Sequence, residues 1–337
     1  MSYQRFGEKN SILLCILLSF LFLAEALLAT DSTSIKPEQP FSRTLPDSIN
    51  QIKKSAQAEL PELSMGDVSY ADKVILYDPG ALGEETGDEP DTRYQNPLEA
   101  CGPVQWPQIP DSGFVSLGRR GSLVLKFEDN VLFDASGPDL CIIQGYHSAD
   151  TMMVWISSDG RYFIPLGEYH QQVQTIDIQT VASPNTYYSY VKIRDHSQRT
   201  SNESTLGVDI DAVAAINTAK VMTIDAAKLF ETNSAILLPT ATSVLDSVSE
   251  QIRPFTNSEI RIEVFSDNQG AEDYNLMLTQ QQAGAIQSYL MTKLDRKQFQ
   301  YAVYGWGSQK PSIGFQSAST KTGARAEFFI QKYPLSE

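Results

Sequence analysis

Apolar and polar positions follow two different rhythms along this chain. Between residues 71 and 217 the apolar residues come in short runs at 73–77, 122–127, 140–143, 152–156, 162–166, 173–178 and 187–193. Turn-forming stretches such as Ser136-Gly137-Pro138-Asp139 and Ser158-Asp159-Gly160 separate them. Short strands at this spacing, with no helical stretch between them, predict an all-β sandwich. After residue 217 the rhythm changes. Ala241, Val244, Leu245, Val248 and Ile252 recur at helical spacing, with Pro239 suited to the first turn. Ile260, Ile262 and Val264 alternate with Glu259, Arg261 and Glu263, which predicts a half-buried strand with its charged row in water. A long helix follows at 274–294, with Leu278, Ala283, Ile286, Tyr289 and Leu290 as its inward stripe, and strands are expected at 221–224, 299–304 and 324–331. Helices alternating with strands on one sheet predict an α/β sandwich. The chain is thus expected to be a multidomain α+β protein.

The first 70 residues fit neither rhythm. Arg5 and Lys9 precede a run of apolar residues at 12–23, and Ala24-Glu25-Ala26 places small residues at a cleavage position. That is the layout of a secretory signal over residues 1–26. The run is shorter than the roughly 20 residues a spanning helix needs. Cys15 lies inside it rather than after a small residue at its end, so it is not expected to carry a lipid. Residues 27–70 are polar and contain Pro37, Pro40, Pro46 and Pro61, the composition of a linker that moves unless something holds it. The expected organisation is a signal at 1–26, an arm at 27–70, a β-sandwich at 71–217 and an α/β domain at 218–337.

Charge sharpens the division. The net charge is −15, from 26 basic and 41 acidic residues. Residues 71–217 hold 21 of the acids against 9 bases, whereas residues 218–337 are nearly neutral, with 12 against 11. This balance excludes nucleic acid, whose phosphates need clustered Lys and Arg. It also argues against an anionic membrane surface. Removing a signal would leave two cysteines, Cys101 and Cys141. An even pair in an oxidising compartment predicts a disulfide. Closing its loop would stabilise by about 3–4 kcal/mol.

Catalytic and metal signatures are sparse. His147, His170 and His196 have no metal-ligand spacing. Asp129, Asp134, Asp139, Asp195, Asp209 and Asp211 are candidates for a calcium site at one end of the sandwich, or for turn formation, the commoner role of Asp in such loops. Apart from that calcium, no cofactor is expected. No nucleophile elbow, phosphate loop or His-Glu-x-x-His occurs, so no enzyme is expected.

Two stretches resemble known families. Gly121-Ser122-Leu123-Val124-Leu125-Lys126-Phe127, Gly137-Pro138-Asp139-Leu140, Val154-Trp155-Ile156-Ser157-Ser158-Asp159-Gly160 and Gly207-Val208-Asp209-Ile210-Asp211 resemble the galactose-binding-like, discoidin-type jelly-roll sandwiches of exported proteins. Phe265-Ser266-Asp267-Asn268-Gln269-Gly270, Tyr274-Asn275-Leu276-Met277-Leu278-Thr279, Tyr304-Gly305-Trp306-Gly307 and Arg325-Ala326-Glu327-Phe328 resemble the OmpA-like domain, by which Gram-negative envelope proteins bind peptidoglycan. The second resemblance implies a ligand chemistry. The diaminopimelate end of the peptide stem bears an ammonium and a carboxylate on one carbon. In the family an Asp takes the ammonium and an Arg on the following helix takes the carboxylate through its planar fork. Asp267 matches the first position, and Asn275 and Arg325 match supporting ones. The arginine position falls at Gln282, which is uncharged and lacks paired donors.

The resemblance and the missing charge together imply an envelope protein, periplasmic and associated with the outer membrane. It would be a non-enzymatic scaffold in a multi-subunit complex, by analogy a peripheral subunit of an outer-membrane secretion core of the type IV kind, with other envelope proteins as partners and weakened peptidoglycan binding. The alternative is a stand-alone binder of peptidoglycan or glycan.

Overall fold

The computed structural model describes residues 60–80, 90–105, 112–145, 150–184, 186–197, 205–267, 269–308 and 323–332. The expected secretory signal, most of the expected arm, the acid-rich stretch at 81–89 and His147 lie outside them. No helix among the described residues is long and apolar enough to cross a membrane.

The first module is a pair of antiparallel sheets. One has the order β1 (Lys73–Asp78), β3 (Ser122–Lys126), β9 (Tyr190–Asp195), β6 (Met152–Ser157) and β7 (Ile164–Tyr169). The other has the order β2 (Val115–Ser116), β10 (Asp209–Ala215), β5 (Leu140–Gln144) and β8 (Val173–Ile176). Leu123, Leu125, Val154, Ile156 and Ile193 from the first sheet share one core with Leu140, Ile142, Ile210 and Val213 from the second. Period-2 alternation sends these residues inward and their neighbours outward, with the phase shifted once in β10 by a bulge between Ile210 and Ala212. Strand β10 is buried along its whole length, and its two charged residues are satisfied locally. The Ser116 hydroxyl donates to Asp209, and the Gln105 N–H donates to Asp211 at 2.9 Å.

The second module is one five-stranded sheet in the order β13 (Phe299–Gly307), β12 (Ser258–Phe265), β14 (Arg325–Lys332), β11 (Thr218–Asp225) and β4 (Asn130–Leu132). Helices α1 (Ala241–Ile252) and α2 (Glu272–Leu290) cover one face. Strands β12 and β13 are parallel, joined by α2 as the crossover, and the other pairings are antiparallel. Strand β4 lies in sequence within the sandwich, yet it pairs Leu132 with Thr218 and Asn130 with Lys220. The sandwich thus lends the second sheet its outermost strand.

Two more ties join the modules. Residues 60–70, expected as the end of a linker, are packed by the chain itself. Met65 is buried in the helix-covered core, while Leu60, Leu63 and Tyr70 pack against Cys141, Ile143 and Ala212 on the sandwich. The third tie lies on the face of the second sheet opposite its helices. Tyr187 of the sandwich stacks on Phe329 of β14 with ring centroids 5.1 Å apart. The guanidinium of Arg261 on β12 lies 4.5 Å from the Phe329 centroid and donates to the Tyr187 hydroxyl.

This seam corrects the half-buried strand expected at β12. Arg261 and Glu263 are buried, because the sandwich covers the face that the charge alternation assigned to water. Arg261 Nε lies 2.9 Å from Glu263 Oε1, and the same spacing on β14 sets Arg325 Nε 2.6 Å from Glu327 Oε1. Glu263 and Glu327 are register partners on neighbouring strands, so two carboxylates sit side by side, each with its own arginine. Burial pushes the Glu263 carboxyl up to about 7; the Arg261 guanidinium opposes this and the Glu327 carboxylate adds to it.

The disulfide is also corrected. Cys101 and Cys141 are both free thiols. Cys141 points out of β5, away from the sandwich interior, into the small cluster beneath Tyr70. Cys101 packs against the interior core instead. Parity of cysteines carries no information about direction, and a bridge needs Cβ vectors that converge. Burial pushes the two thiols up to about 11 and about 12, so both stay protonated near neutral pH.

Candidate functional site

The motif residues gather where β12 ends and α2 begins. The Ser266 N–H donates to Gly307 O at 2.8 Å, which ends the strand and turns the chain outward. Asp267 is exposed immediately after it. Gly270 adopts φ +88°, a conformation that L side chains rarely take, and so allows the loop to fold back onto α2. Asn275 is buried and its Nδ2 donates to Gln269 O at 2.8 Å, which fixes the loop that carries Asp267. The cap of α2 is Ala271, without a side-chain bond, and Glu272 and Asp273 in the first turn complement the helix dipole. Asp267 is therefore not the cap.

The loop is anchored to the sheet through α2. The Thr279 hydroxyl accepts the Gly307 N–H at 2.9 Å, and Gln280 Oε1 accepts the Gly305 N–H at 2.8 Å. Helix and strand meet here almost backbone to backbone. A Cβ on Gly305 would lie 2.1 Å from Gln280 N. The Gly-x-Gly at 305–307 is thus a close-approach device that sets the height of α2 over β13.

Gln282 lies two turns from Tyr274 on α2 and is buried. Its Nε2 donates to Ser234 O at 2.8 Å, and the Tyr274 hydroxyl donates to Asn233 O at 3.2 Å. Both bonds hold the turn before α1 along the start of α2. The side chain at the arginine position is therefore tied to backbone and offers no charge. Arg325 sits at the end of β12, because its register partner is Phe265, over whose ring its guanidinium lies at 4.0 Å. Yet its Nε is held by buried Glu327 and its Nη1 donates to Gly323 O at 3.2 Å. The fold thus brings Asp267, Asn275 and Arg325 to one end of β12 and leaves Gln282 facing Ser234. The exposed carboxylate can meet a cation; Gln282 offers no charge, and Arg325 already has its Nε and Nη1 engaged.

The calcium candidates mostly disperse. Asp195 accepts the backbone N–H groups of Arg120 and Val208, Asp209 and Asp211 hold Ser116 and Gln105, and Asp129 pairs with Lys220 at 2.8 Å. Asp134 and Asp139 approach each other with Asp177, their ligand atoms within 4.8 Å. Asp139 already accepts from Ala135 N, Ile178 N and Asn217 Nδ2, which is the work of a turn organiser.

Sequence patterns missed the buried set of Arg261, Glu263, Glu327 and Tyr187. Its signal was the Arg-x-Glu spacing repeated on two strands, at 261–263 and 325–327.

Comparison with known proteins places the second module. Residues 229–325 match the model of the OmpA family, so the C-terminal third of the chain carries an OmpA family domain. A search of curated proteins returned no match. Among solved structures, the periplasmic domain of Helicobacter pylori MotB is 15% identical, covering 34% of this chain and 84% of that one at a TM-score of 0.28. The cell wall anchor of the T6SS from Pseudomonas aeruginosa is 19% identical, covering 36% and 85% at a TM-score of 0.28. The peptidoglycan-associated lipoprotein from Burkholderia pseudomallei is 22% identical, covering 31% and 87% at a TM-score of 0.24.

Proposed function

We propose that this chain is an exported envelope protein, periplasmic and associated with the outer membrane, that serves as a non-enzymatic adapter in a multi-subunit complex. Its OmpA family domain retains only part of the chemistry for peptidoglycan. The observation that carries this reading is the tie between Gln282 Nε2 and Ser234 O, at the position where the family's ligand carboxylate needs a guanidinium. Losing a charge-assisted paired contact costs about 2–4 kcal/mol, or roughly a hundredfold in affinity. The three ties between sandwich and OmpA family domain support an adapter, because they make a single block that transmits position from one partner to another. A subunit of a secretion core, of the type IV kind, is the complex this arrangement suits by analogy.

The exposed carboxylate of Asp267 favours a second reading, a stand-alone binder of peptidoglycan or glycan. Co-sedimentation with purified sacculi separates the two. The adapter reading expects most of the chain to stay in the supernatant at about micromolar concentration, where a family member with both charges would pellet. Quantitative pelleting by the wild type would end the adapter reading in favour of the binder.

A further inference from the structure

Strand β13 is an outermost strand of the second sheet, and one side of it carries an aromatic strip. Its sequence, Phe299-Gln300-Tyr301-Ala302-Val303-Tyr304-Gly305-Trp306-Gly307, contains no charged residue. Phe299, Tyr301 and Val303 join the helix-covered core, and a Cβ on Gly305 would point into α2. Alternation therefore sends Gln300, Ala302, Tyr304 and Trp306 to the opposite face. The Tyr304 and Trp306 rings lie 5.9 Å apart between centroids, with their planes only 21° from parallel. Tyr304 is 43% exposed, Gln300 is exposed and Trp306 is half-buried.

The ground beside this strip is electrically quiet. Register places Ala302 next to Arg261 and Tyr304 next to Glu263, two buried groups paired with each other at 2.9 Å. Hydrogen-bonding groups stand at one end instead, where Gln300 has Glu259 as its register partner. The backbone beside the two rings is already engaged. The Gly305 N–H donates to Gln280 Oε1 at 2.8 Å, and the Gly307 N–H donates to Thr279 Oγ1 at 2.9 Å. An added protein strand would find neither donor free for a ladder there, so an occupant of the strip must be held by side chains.

We propose that Tyr304 and Trp306 form a stacking site for an uncharged saccharide chain. A pyranose presents C–H groups on one face and hydroxyls around its rim. The C–H groups carry partial positive charge and meet the negative face of an aromatic ring. The rim hydroxyls donate to the Glu259 carboxylate and exchange hydrogen bonds with the Gln300 amide. Such a ligand needs neither a counter-charge nor a deep pocket, and the strip offers neither. Contacts of this kind are weak, so a Kd of about 1 mM is expected, at which the chain still stays in the supernatant with sacculi. Sugar binding here goes beyond the adapter reading and is independent of whether Asp267 meets an ammonium.

NMR titration of the full chain tests it, with a β-1,4-linked trimer of N-acetylglucosamine and, separately, with maltotriose. The Trp306 indole N–H and the amides of β13 should shift and saturate with a Kd of about 1 mM for at least one trimer, and the tighter trimer identifies the sugar. Tyr304→Ala removes an exposed ring without touching the core and should weaken binding at least about fivefold, and Trp306→Ala at least about tenfold. Tyr304→Phe keeps the ring and should lose less than about twofold. Asp267→Ala should leave sugar binding unchanged, which separates the strip from the stem-peptide contact. Circular dichroism checks that each variant folds. No shift along β13 at about 10 mM of either trimer would overturn the proposal. So would shifts that saturate equally in Tyr304→Ala, or that map to another face of the molecule.

Discussion

Replacing Arg261 with alanine is expected to lower the stability of the chain by about 3–5 kcal/mol in urea unfolding at pH 8, because it leaves a buried carboxylate without its partner. Glu263 is fully buried, Arg261 Nε is its counter-ion at 2.9 Å, and Glu327 stands across the strand pair. The same guanidinium also holds Tyr187, so the variant loosens the seam as well as the charge balance. The loss depends on pH with a definite sign. Burial raises the Glu263 carboxyl from 4.5 to about 7, so the folded state holds its proton more tightly than the unfolded state does. The stability that Glu263 contributes is full below about pH 4.5 and is lost as pH rises through about 7, a fall of roughly 3 kcal/mol. Glu263→Gln should flatten that slope in the wild-type background. Arg261→Ala should be most damaging above pH 7 and milder at pH 5. A loss below about 1 kcal/mol at pH 8 would mean that the seam does not depend on this pair.

The second large effect is expected at Gly305. Its Cβ in Gly305→Ala would sit 2.1 Å from Gln280 N and 2.5 Å from both Gln280 Cα and Thr279 C, all backbone of α2. No flexible side chain can yield there, so the helix must lift from β13. The expected cost is about 3 kcal/mol or more. The bonds from Gly305 N to Gln280 and from Gly307 N to Thr279 would lengthen with it, and the loop bearing Asp267 would lose its support. Gly284→Ala is the control on the same helix. Nothing lies within 4 Å of its Cβ. The substitution removes a flexible residue from a helix interior and should stabilise by about 0.5–1 kcal/mol. Thermal melts of the two variants should therefore move in opposite directions.

The fold class was legible because its signals are local. Alternation marked β12, and helical spacing marked α1. What failed was everything decided by contact between modules. The row Glu259, Arg261, Glu263 has the pattern of a solvated face, and a pattern cannot tell water from a covering module that supplies an aromatic ring and a hydroxyl. Strand β4 is three residues long, too short for any period to show, and exists because β11 offers it an edge. Met65 and Tyr70 sit among Pro, Glu and Ser in a stretch of linker composition, yet one side chain in each core holds it down. Strand β9 begins at Tyr190 rather than at 187, because Tyr187 turns into the seam and Tyr188 bridges to Leu132.

For the site, the missing charge at Gln282 was legible from motif spacing alone. Its consequence was not. Only the structure reveals that the amide is tied to Ser234 O and that Arg325 Nε is held by Glu327.

The most direct test of the central claim is calorimetric titration of the full chain with a peptidoglycan stem tripeptide ending in diaminopimelate. The account predicts weak binding, with a Kd of about 100 μM or above, that Asp267→Ala abolishes because the ammonium then has no partner. Binding at about 1 μM that survives Asp267→Ala would contradict it, since the site would then work without either charge assigned to it.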